Sequence, residues 1–270
     1  MSKRNKPDEM LAEEMQALAI PVLASYSEDE VFDLEPTEQA DLYPLIALRN
    51  MSIFPGTLVP ILIGRKKSMK VVRLAEKEHK YFGVVTQRDA SVEDPGLEDL
   101  YTVGTIVEVS QIMERPSGEI SAILCGRQRF ALKRITKSRT YLEGEVELLN
   151  DSLPQEVSST EIGVLSELIH DRLVHFLEHL AADPPKGFLD TIRGLKNHTY
   201  IIHLAASLLS LSMEERQELL EKNNIYDRGL EILSRLNEQI SHTEIREEIL
   251  GRTRREMDQQ QREYFLQQQM

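Results

Sequence analysis

One stretch in the second half of the sequence has the spacing of a zinc-peptidase motif. His175, Glu178 and His179 fit the His-x-x-Glu-His pattern, in which two imidazoles bind Zn²⁺ and the carboxylate acts as a base. At about 100° per residue, Glu178 points nearly opposite the apolar face of the predicted helix, and the histidines lie on its flank. No third ligand is evident. The pattern therefore favours a solvated helix face over a metal site.

The other reactive side chains indicate packing and ion pairing. Cys125 lies among apolar neighbours in a predicted strand, which is typical of a buried thiol. His198 and His203 are interpreted as packing or surface residues. A basic cluster lies on a predicted strand and its turn, and there a structural role or contact with acidic surfaces is favoured over nucleic-acid recognition. The cluster comprises Arg127, Arg129, Lys133 and Arg134.

Composition narrows the classes of partner. The 270 residues carry a formal net charge of −13, which disfavours nucleic acid or an anionic membrane because phosphates are bound by clustered Lys and Arg. An apolar content of 41% suffices for one large core or two modest ones. No apolar run approaches the length of a membrane span. A single cysteine without a secretory leader predicts a cytoplasmic protein.

Residues 1–41 are predicted to form an acidic, mostly disordered arm. They carry eleven acidic side chains against Lys3, Arg4 and Lys6, with little apolar material to offset the entropy of ordering. Residues 8–20 have helical apolar spacing, so a short amphipathic helix that forms on contact with a partner is the alternative.

Residues 42–150 have the pattern of a β-rich domain that begins at a Pro-Gly corner. Apolar runs at 45–48 and 58–63 flank Phe54-Pro55-Gly56 and are predicted to form the first strand pair. Pro60 indicates a sheet edge or a bulge. A helix is predicted from an N-cap at Ser68 to Glu76. The other strands are predicted at 81–87, 102–113, 119–125, 130–135 and 141–149, with a hairpin turn at 115–118.

After a linker at residues 151–157, the apolar period becomes that of helices. A helical subdomain is predicted at 158–228 and a long helical arm at 229–270. Within them, Ser212 and Glu215 resemble a capping box, and Asp227 is expected to cap a final helix that begins at Leu230 and passes Gly251. The individual helices are predicted at 158–182, which ends at Asp183-Pro184-Pro185, and at 188–195, 200–211 and 213–222.

Several segments, in order, resemble the amino-terminal region of the ATP-dependent Lon proteases. The tail at 261–270 is similar to the Gln-Arg-Glu-Tyr signature that precedes the ATPase module of that family. The order and spacing make the resemblance specific over residues 42–270. It implies an α+β fold: a small twisted β-barrel-like, PUA-like domain, then an α-helical bundle and a long C-terminal helix. The other matching segments are 48–56, 60–68, 83–89, 98–105 and 126–130.

The sequence also departs from the family pattern. Ala47 stands where the family usually has a proline, and the region 197–202 lacks a frequent Asp-Pro. No Gly-x-x-x-x-Gly-Lys-Ser/Thr loop and no serine–lysine protease module occur, so we expect no catalytic, cofactor-binding or metal-binding residue in this chain. The resemblance implies a fragment truncated before an ATPase module that would bind ATP and Mg²⁺.

The resemblance further implies that the chain holds unfolded or degron-bearing protein substrates and helps to organise a hexamer of the full-length enzyme. Such binding needs exposed apolar side chains or a groove for extended chains. The alternative is that Phe54 belongs to the core and the lysines are ordinary surface charges. The candidate substrate contacts are Met51, Phe54, Arg65, Lys66, Lys67 and Met113.

Two classes of function stay open at this point. The first is the substrate-recognition region of an ATP-dependent serine protease. The second is a stand-alone adaptor or chaperone-like module without enzymatic activity. The tail favours the first, because an independent module gains little from a segment that normally leads into an ATPase. A nucleic-acid function, suggested by barrel architecture alone, ranks third.

Overall fold

A computed structural model describes residues 42–268 apart from 79, 138–139 and 181–186. The acidic arm and the Asp183-Pro184-Pro185 stop lie outside the described residues. The strands are β1 (Leu42–Leu48), β2 (Leu58–Ile63), β3 (Phe82–Thr86), β4 (Val103–Glu114), β5 (Ile120–Lys137) and β6 (Leu142–Leu149). The helices are α1 (Lys66–Glu78), α2 (Ser159–Leu180), α3 (Phe188–Arg193), α4 (His198–Leu208), α5 (Met213–Glu221) and α6 (Ile225–Gln268), besides a 3₁₀ turn at Leu97–Asp99.

The strands form one mixed sheet in the order β2-β5-β4-β3-β1-β6. β1 is parallel to β3, whereas the other neighbours are antiparallel. The second half of β5 also pairs with β6, so that β1, β3, β4, β5 and β6 are connected in a closed circuit. The result is an α+β fold in which β2 occupies the free edge, which confirms the edge position expected from Pro60.

Two strand predictions are wrong. β1 and β2 do not pair with each other, because residues 49–57 carry the chain away from β1 and β2 then pairs with β5. The runs at 119–125 and 130–135 belong to one 18-residue strand, β5. The polar residues between the two runs continue the ladder with β4 rather than forming a turn. The hairpin turn at 115–118 is confirmed, with Gly118 at a φ of 85°.

α1 begins at Lys66, two residues before the predicted N-cap at Ser68. The amide of Met69 donates to the carbonyl of Arg65 at 2.9 Å, so the first turn already includes Lys66 and Lys67. These two lysines therefore lie in the first turn of the helix, whereas the predicted N-cap at Ser68 had placed them before it. Ser68 is buried at the face of α1 that packs on the sheet together with Val71, Val72 and Ala75.

The helix boundaries after residue 158 follow their caps. The capping box is confirmed: the Ser212 hydroxyl accepts from the Glu215 amide, and the Glu215 carboxylate accepts from the Ser212 amide. The prediction for the last helix is wrong at its start, because α6 begins at Ile225. The Asn224 side chain accepts from the amides of Tyr226 and Asp227 and takes the role predicted for Asp227. α6 continues through Gly251 as expected.

The sheet and the helices share an apolar core. Side chains from the sheet side, among them Phe54, Leu58 and Cys125, belong to the same buried cluster as residues of α2, α4 and α6. A second cluster lies between α1 and the sheet, and a third lies inside the circuit of strands. Among the described residues, no helix combines the length and apolar character that crossing a membrane requires.

Candidate functional site

A buried ionic cluster joins the sheet to the helices. The carboxylate of Asp151, just after β6, lies 2.8 Å from Arg129 of β5 and 2.9 Å from Arg228 of α6. Its other oxygen lies 2.8 Å from Nε2 of His203 in α4. The side chains of both arginines and of His203 are at most 1% exposed. One carboxylate therefore connects three elements in a place with little water.

The two guanidinium groups also hold backbone carbonyls at helix ends. Arg129 donates to the carbonyl of Leu220 at 2.9 Å, and Nε of Arg228 donates to the carbonyl of Leu219 at 3.0 Å. Arg228 also donates to the carbonyl of Lys222. The last carbonyls of a helix have no partner within the helix, so these bonds satisfy the carboxyl end of α5. The cluster thereby fixes α5 against the sheet.

The charges in this cluster shift one another's protonation. Burial alone would raise the pKa of Asp151, but the hydrogen bond from His203 and the charges of Arg228 and Arg129 hold it well below its usual range. Burial and the neighbouring Arg228 lower the pKa of Arg129 to about 10, which leaves it charged at neutral pH. Burial also lowers the pKa of His203 despite the opposing effect of Asp151, so the imidazole is neutral at pH 7.

The sequence did not reveal this cluster. Asp151 lies in a segment predicted as a linker, and Arg228 lies close to a predicted helix start. Nothing in their spacing indicates that residues 129, 151, 203 and 228 meet. The one available signal was Arg129, because it directly precedes the apolar run 130–135 and a charged side chain needs a partner when it is buried.

The remaining members of the predicted basic cluster are paired with acidic neighbours. Arg127 lies against Glu108, Lys133 against Glu147, and Arg134 lies 2.9 Å from Glu145. These pairs join adjacent strands, which agrees with a structural role. Cys125 is buried, and burial raises the pKa of its thiol to about 11, which confirms the interpretation as a core residue.

Two residues of the apparent zinc motif have separate surroundings in the structure. His175 lines a small cavity between α2 and α6 together with Phe176, Ile240, Thr243 and Glu244, whereas Glu178 forms an ion pair with Arg193 at 2.6 Å. No group of three or more potential metal ligands occurs among residues whose positions are described.

Phe54, one of the candidate substrate contacts, faces the core. Its ring is fully buried, and its centroid lies 6.4 Å from that of His203. The Phe54 carbonyl accepts from the hydroxyl of Thr57 at 2.7 Å, which fixes the corner. A buried ring offers no surface to a polypeptide. Of the two interpretations of Phe54, the structure therefore agrees with the core residue and not with the direct substrate contact. Met51 is half-buried and packs against the cluster beneath α1.

The basic candidates lie together at the start of α1. Arg65 donates to the side chain of Gln87 at 2.8 Å and is half-buried, while Lys66 and Lys67 are exposed. Lys67 pairs with Asp94 of the loop after β3 at 2.7 Å. This group presents positive charge to solvent at one end of the α1 helix.

Met113 is separate from the basic group. It is 48% exposed near the end of β4. The next residue, Glu114, pairs with Arg73 of α1 at 2.8 Å. Because successive side chains of a strand point to opposite faces, Met113 points away from α1. The six candidates therefore do not form one continuous surface.

Fold and geometry define an α+β domain in which a mixed sheet and a helical bundle are joined by a common core and a buried ionic cluster. Residues 42–238 match the family model of the ATP-dependent protease La (LON) substrate-binding domain. The chain therefore belongs to the Lon substrate-binding domain family.

Curated relatives extend the match over most of the chain. The Lon protease of Porphyromonas gingivalis is 42% identical over 250 residues, which cover 93% of this chain and 30% of that protein. The Lon protease of Parabacteroides distasonis is 34% identical over 253 residues, which cover 94% of this chain and 30% of that protein. The chain thus spans about a third of the length of these relatives.

Solved structures share the fold. The N-terminal domain of a Mycobacterium avium complex Lon protease superposes with a TM-score of 0.55 at 16% identity, covering 73% of this chain and 98% of that one. A Lon N-terminal domain protein from Xanthomonas campestris gives a TM-score of 0.50 at 20% identity, covering 72% of this chain and 98% of that one.

Proposed function

We propose that this chain is the substrate-binding, hexamer-organising amino-terminal region of an ATP-dependent serine protease that degrades misfolded and degron-bearing regulatory proteins. The match of residues 42–238 to the Lon substrate-binding domain carries the proposal. The relatives named Lon protease favour it over a stand-alone adaptor. ATP and Mg²⁺ would act in the ATPase module of the whole enzyme, and its place would be the cytoplasm.

The architecture suits a rigid platform for holding polypeptide. The closed circuit of strands supports a small β-barrel of the PUA-like kind. The proposed division is an arm at 1–41, a β-rich domain at 42–150, a linker at 151–157, a helical subdomain at 158–228 and a helical arm at 229–270. The ionic cluster around Asp151 would hold the β-rich domain and the helical subdomain in one orientation, so that a pull on a bound client is transmitted to both.

The accessible candidates would make the client contacts. Lys66 and Lys67 are exposed at the start of α1 and would bind acidic side chains, while Met113 offers an adaptable apolar side chain. Arg65 and Met51 are half-buried and would contribute at the border of the basic group. Phe54 would act indirectly by supporting the corner from inside the core.

A binding titration tests the proposal. Fluorescently labelled, reduced casein serves as an unfolded client, and a folded protein of similar size and charge serves as the control. We expect saturable, weak binding of the unfolded client at micromolar to high micromolar chain concentration and none of the folded control. No anisotropy change with casein at high micromolar concentration would contradict the proposal.

A further inference from the structure

The exposed face of α1 carries a row of basic side chains. Lys66, Lys70, Arg73 and Lys77 are spaced by four, three and four residues, so they lie on one face of the helix. All four are exposed, and the opposite face packs on the sheet through Val71, Val72 and Ala75. We call these four residues the basic row.

Neighbouring acids leave most of this charge unneutralised. Arg73 pairs with Glu114, and nearby Lys67 pairs with Asp94. The ion pairs found in the described part of the chain do not include Lys66, Lys70 or Lys77. Elsewhere on the sheet, basic side chains such as Lys133 and Arg134 lie against carboxylates. The basic row is therefore unusual in this acidic protein and fits an anionic partner.

The same chain contains a strongly anionic segment directly before β1. Residues 28–41 carry no Lys or Arg. They hold seven carboxylates, at Glu28, Asp29, Glu30, Asp33, Glu35, Glu38 and Asp41. This segment leads directly into β1, so its local concentration near the domain is high without any intermolecular encounter.

The direction of α1 brings its basic row close to that segment. At the start of α1, Arg65 donates to the side chain of Gln87. The backbone amide of Gln87 in turn donates to the carbonyl of Leu48 at the end of β1. At the other end, Glu78 lies close to Tyr141, which precedes the strand residue Leu142 that pairs with Leu45. α1 therefore runs antiparallel to β1, and its carboxyl end lies near the middle of β1, at the level of Leu45.

The lengths are compatible as well. Thirteen helical residues span about 20 Å, whereas fourteen extended residues reach at most about 45–50 Å. Leu42, where β1 begins, lies three residues or about 10 Å of strand beyond Leu45. The acidic segment is therefore long enough to cover this distance and then run back along the whole of α1 to Lys66.

We propose that the acidic segment 28–41 docks on the basic row of α1 within the same chain. The contact is electrostatic, so it weakens as salt is added. It covers Lys66 and the neighbouring Lys67, two of the candidate client contacts. The segment then acts as an intramolecular competitor of anionic client segments, a consequence that rests on the function proposed above.

Lysine acetylation in the full chain tests the contact without any client. The test variant replaces the seven acidic residues of segment 28–41 by their amides, Asp→Asn and Glu→Gln. In low salt we expect Lys66, Lys70 and Lys77 to react at least threefold faster in this variant than in the unaltered chain. The difference should vanish at about 1 M salt, and exposed Lys196, far along the chain, should react equally in both. Equal rates at the three lysines in low salt would overturn the proposal.

Carbodiimide crosslinking adds a direct readout. In an equal mixture of ¹⁴N- and ¹⁵N-labelled unaltered chains at low concentration, we expect crosslinks between segment 28–41 and the basic row only within single isotopic species. Crosslinks of which about half have mixed isotopic composition, the share that random pairing between chains gives, or no crosslinks at all, would overturn docking within one chain. A casein titration of the amide variant then tests competition, with tighter binding expected. Failure of casein to bind either chain would contradict the proposed function and leave the acetylation and crosslinking results to decide the docking by themselves.

Discussion

The guanidinium of Arg129 lies 2.8 Å from the carboxylate of Asp151, and this pair is part of the contact between the sheet and the helices. Arg228 approaches the same carboxylate from α6. A buried ion pair adds little net stability compared with an apolar replacement, because desolvation offsets the attraction. Losing one partner is different, since the remaining charge stays buried without compensation.

Replacing Asp151 by Asn should therefore destabilise the fold strongly. The substitution leaves Arg129 and Arg228 buried beside a neutral amide, and we expect the free energy of unfolding to fall by about 3 kcal/mol. Urea denaturation followed by circular dichroism measures the loss. The matched control is Asp190→Asn, an exposed acid at α3 that pairs with Arg193, for which less than about 1 kcal/mol is expected. Equal effects of the two substitutions would refute the role of the cluster.

His203 should make stability depend on pH. Burial lowers the pKa of His203 in the folded chain, so near pH 6.5 the unfolded chain binds a proton that the folded chain does not. The stability that the neutral His203 contributes is fully present above the pKa of histidine in the unfolded chain. It is lost as the pH falls toward the lower pKa of His203 in the folded chain. Between pH 7.5 and 5.5, the unaltered chain should lose more unfolding free energy than His203→Gln, with a limiting slope of about 1.4 kcal/mol per pH unit. If the unfolding free energies of the two chains changed with pH in parallel, His203 would not be the source of the pH dependence.

Local chemistry made some of the fold predictable from the sequence. The capping box at Ser212 and the hairpin at Gly118 depend on residues adjacent in the chain, and both are confirmed. Which strands pair depends on contacts between distant residues, so the proposed pairing of β1 with β2 failed. The contact between Asp151 and Arg228 also joins residues that are distant in the sequence, and no local pattern specifies it. Phe54 shows the same limit, because a corner residue has the same sequence pattern whether it faces solvent or core.

Gly126 should be intolerant of any side chain. A Cβ at this position would lie 2.2 Å from the backbone carbonyl oxygen of Phe54, and backbone cannot move aside as a flexible side chain can. Gly126→Ala should cost about 1–3 kcal/mol of unfolding free energy. Gly251→Ala is the control, because a Cβ added there meets no side chain and no backbone outside its own turns of the helix among the described residues, and alanine favours a helix interior. A melting temperature unchanged in Gly126→Ala, or lowered in Gly251→Ala, would contradict the packing described.

The most direct test of the central claim compares client binding by surface variants of the chain. Lys66→Glu/Lys67→Glu and Met113→Ser alter the accessible candidate contacts, while Lys133→Glu and Met257→Ser alter exposed residues elsewhere. In titrations with labelled, reduced casein, we expect each of the first two variants to bind at least threefold more weakly and each control to bind as the unaltered chain does. Thermal midpoints should stay within about 4 °C of the unaltered chain in all four, because exposed ion pairs such as Lys133–Glu147 contribute at most about 1 kcal/mol. Equal casein affinity across the four variants would contradict the proposed client surface.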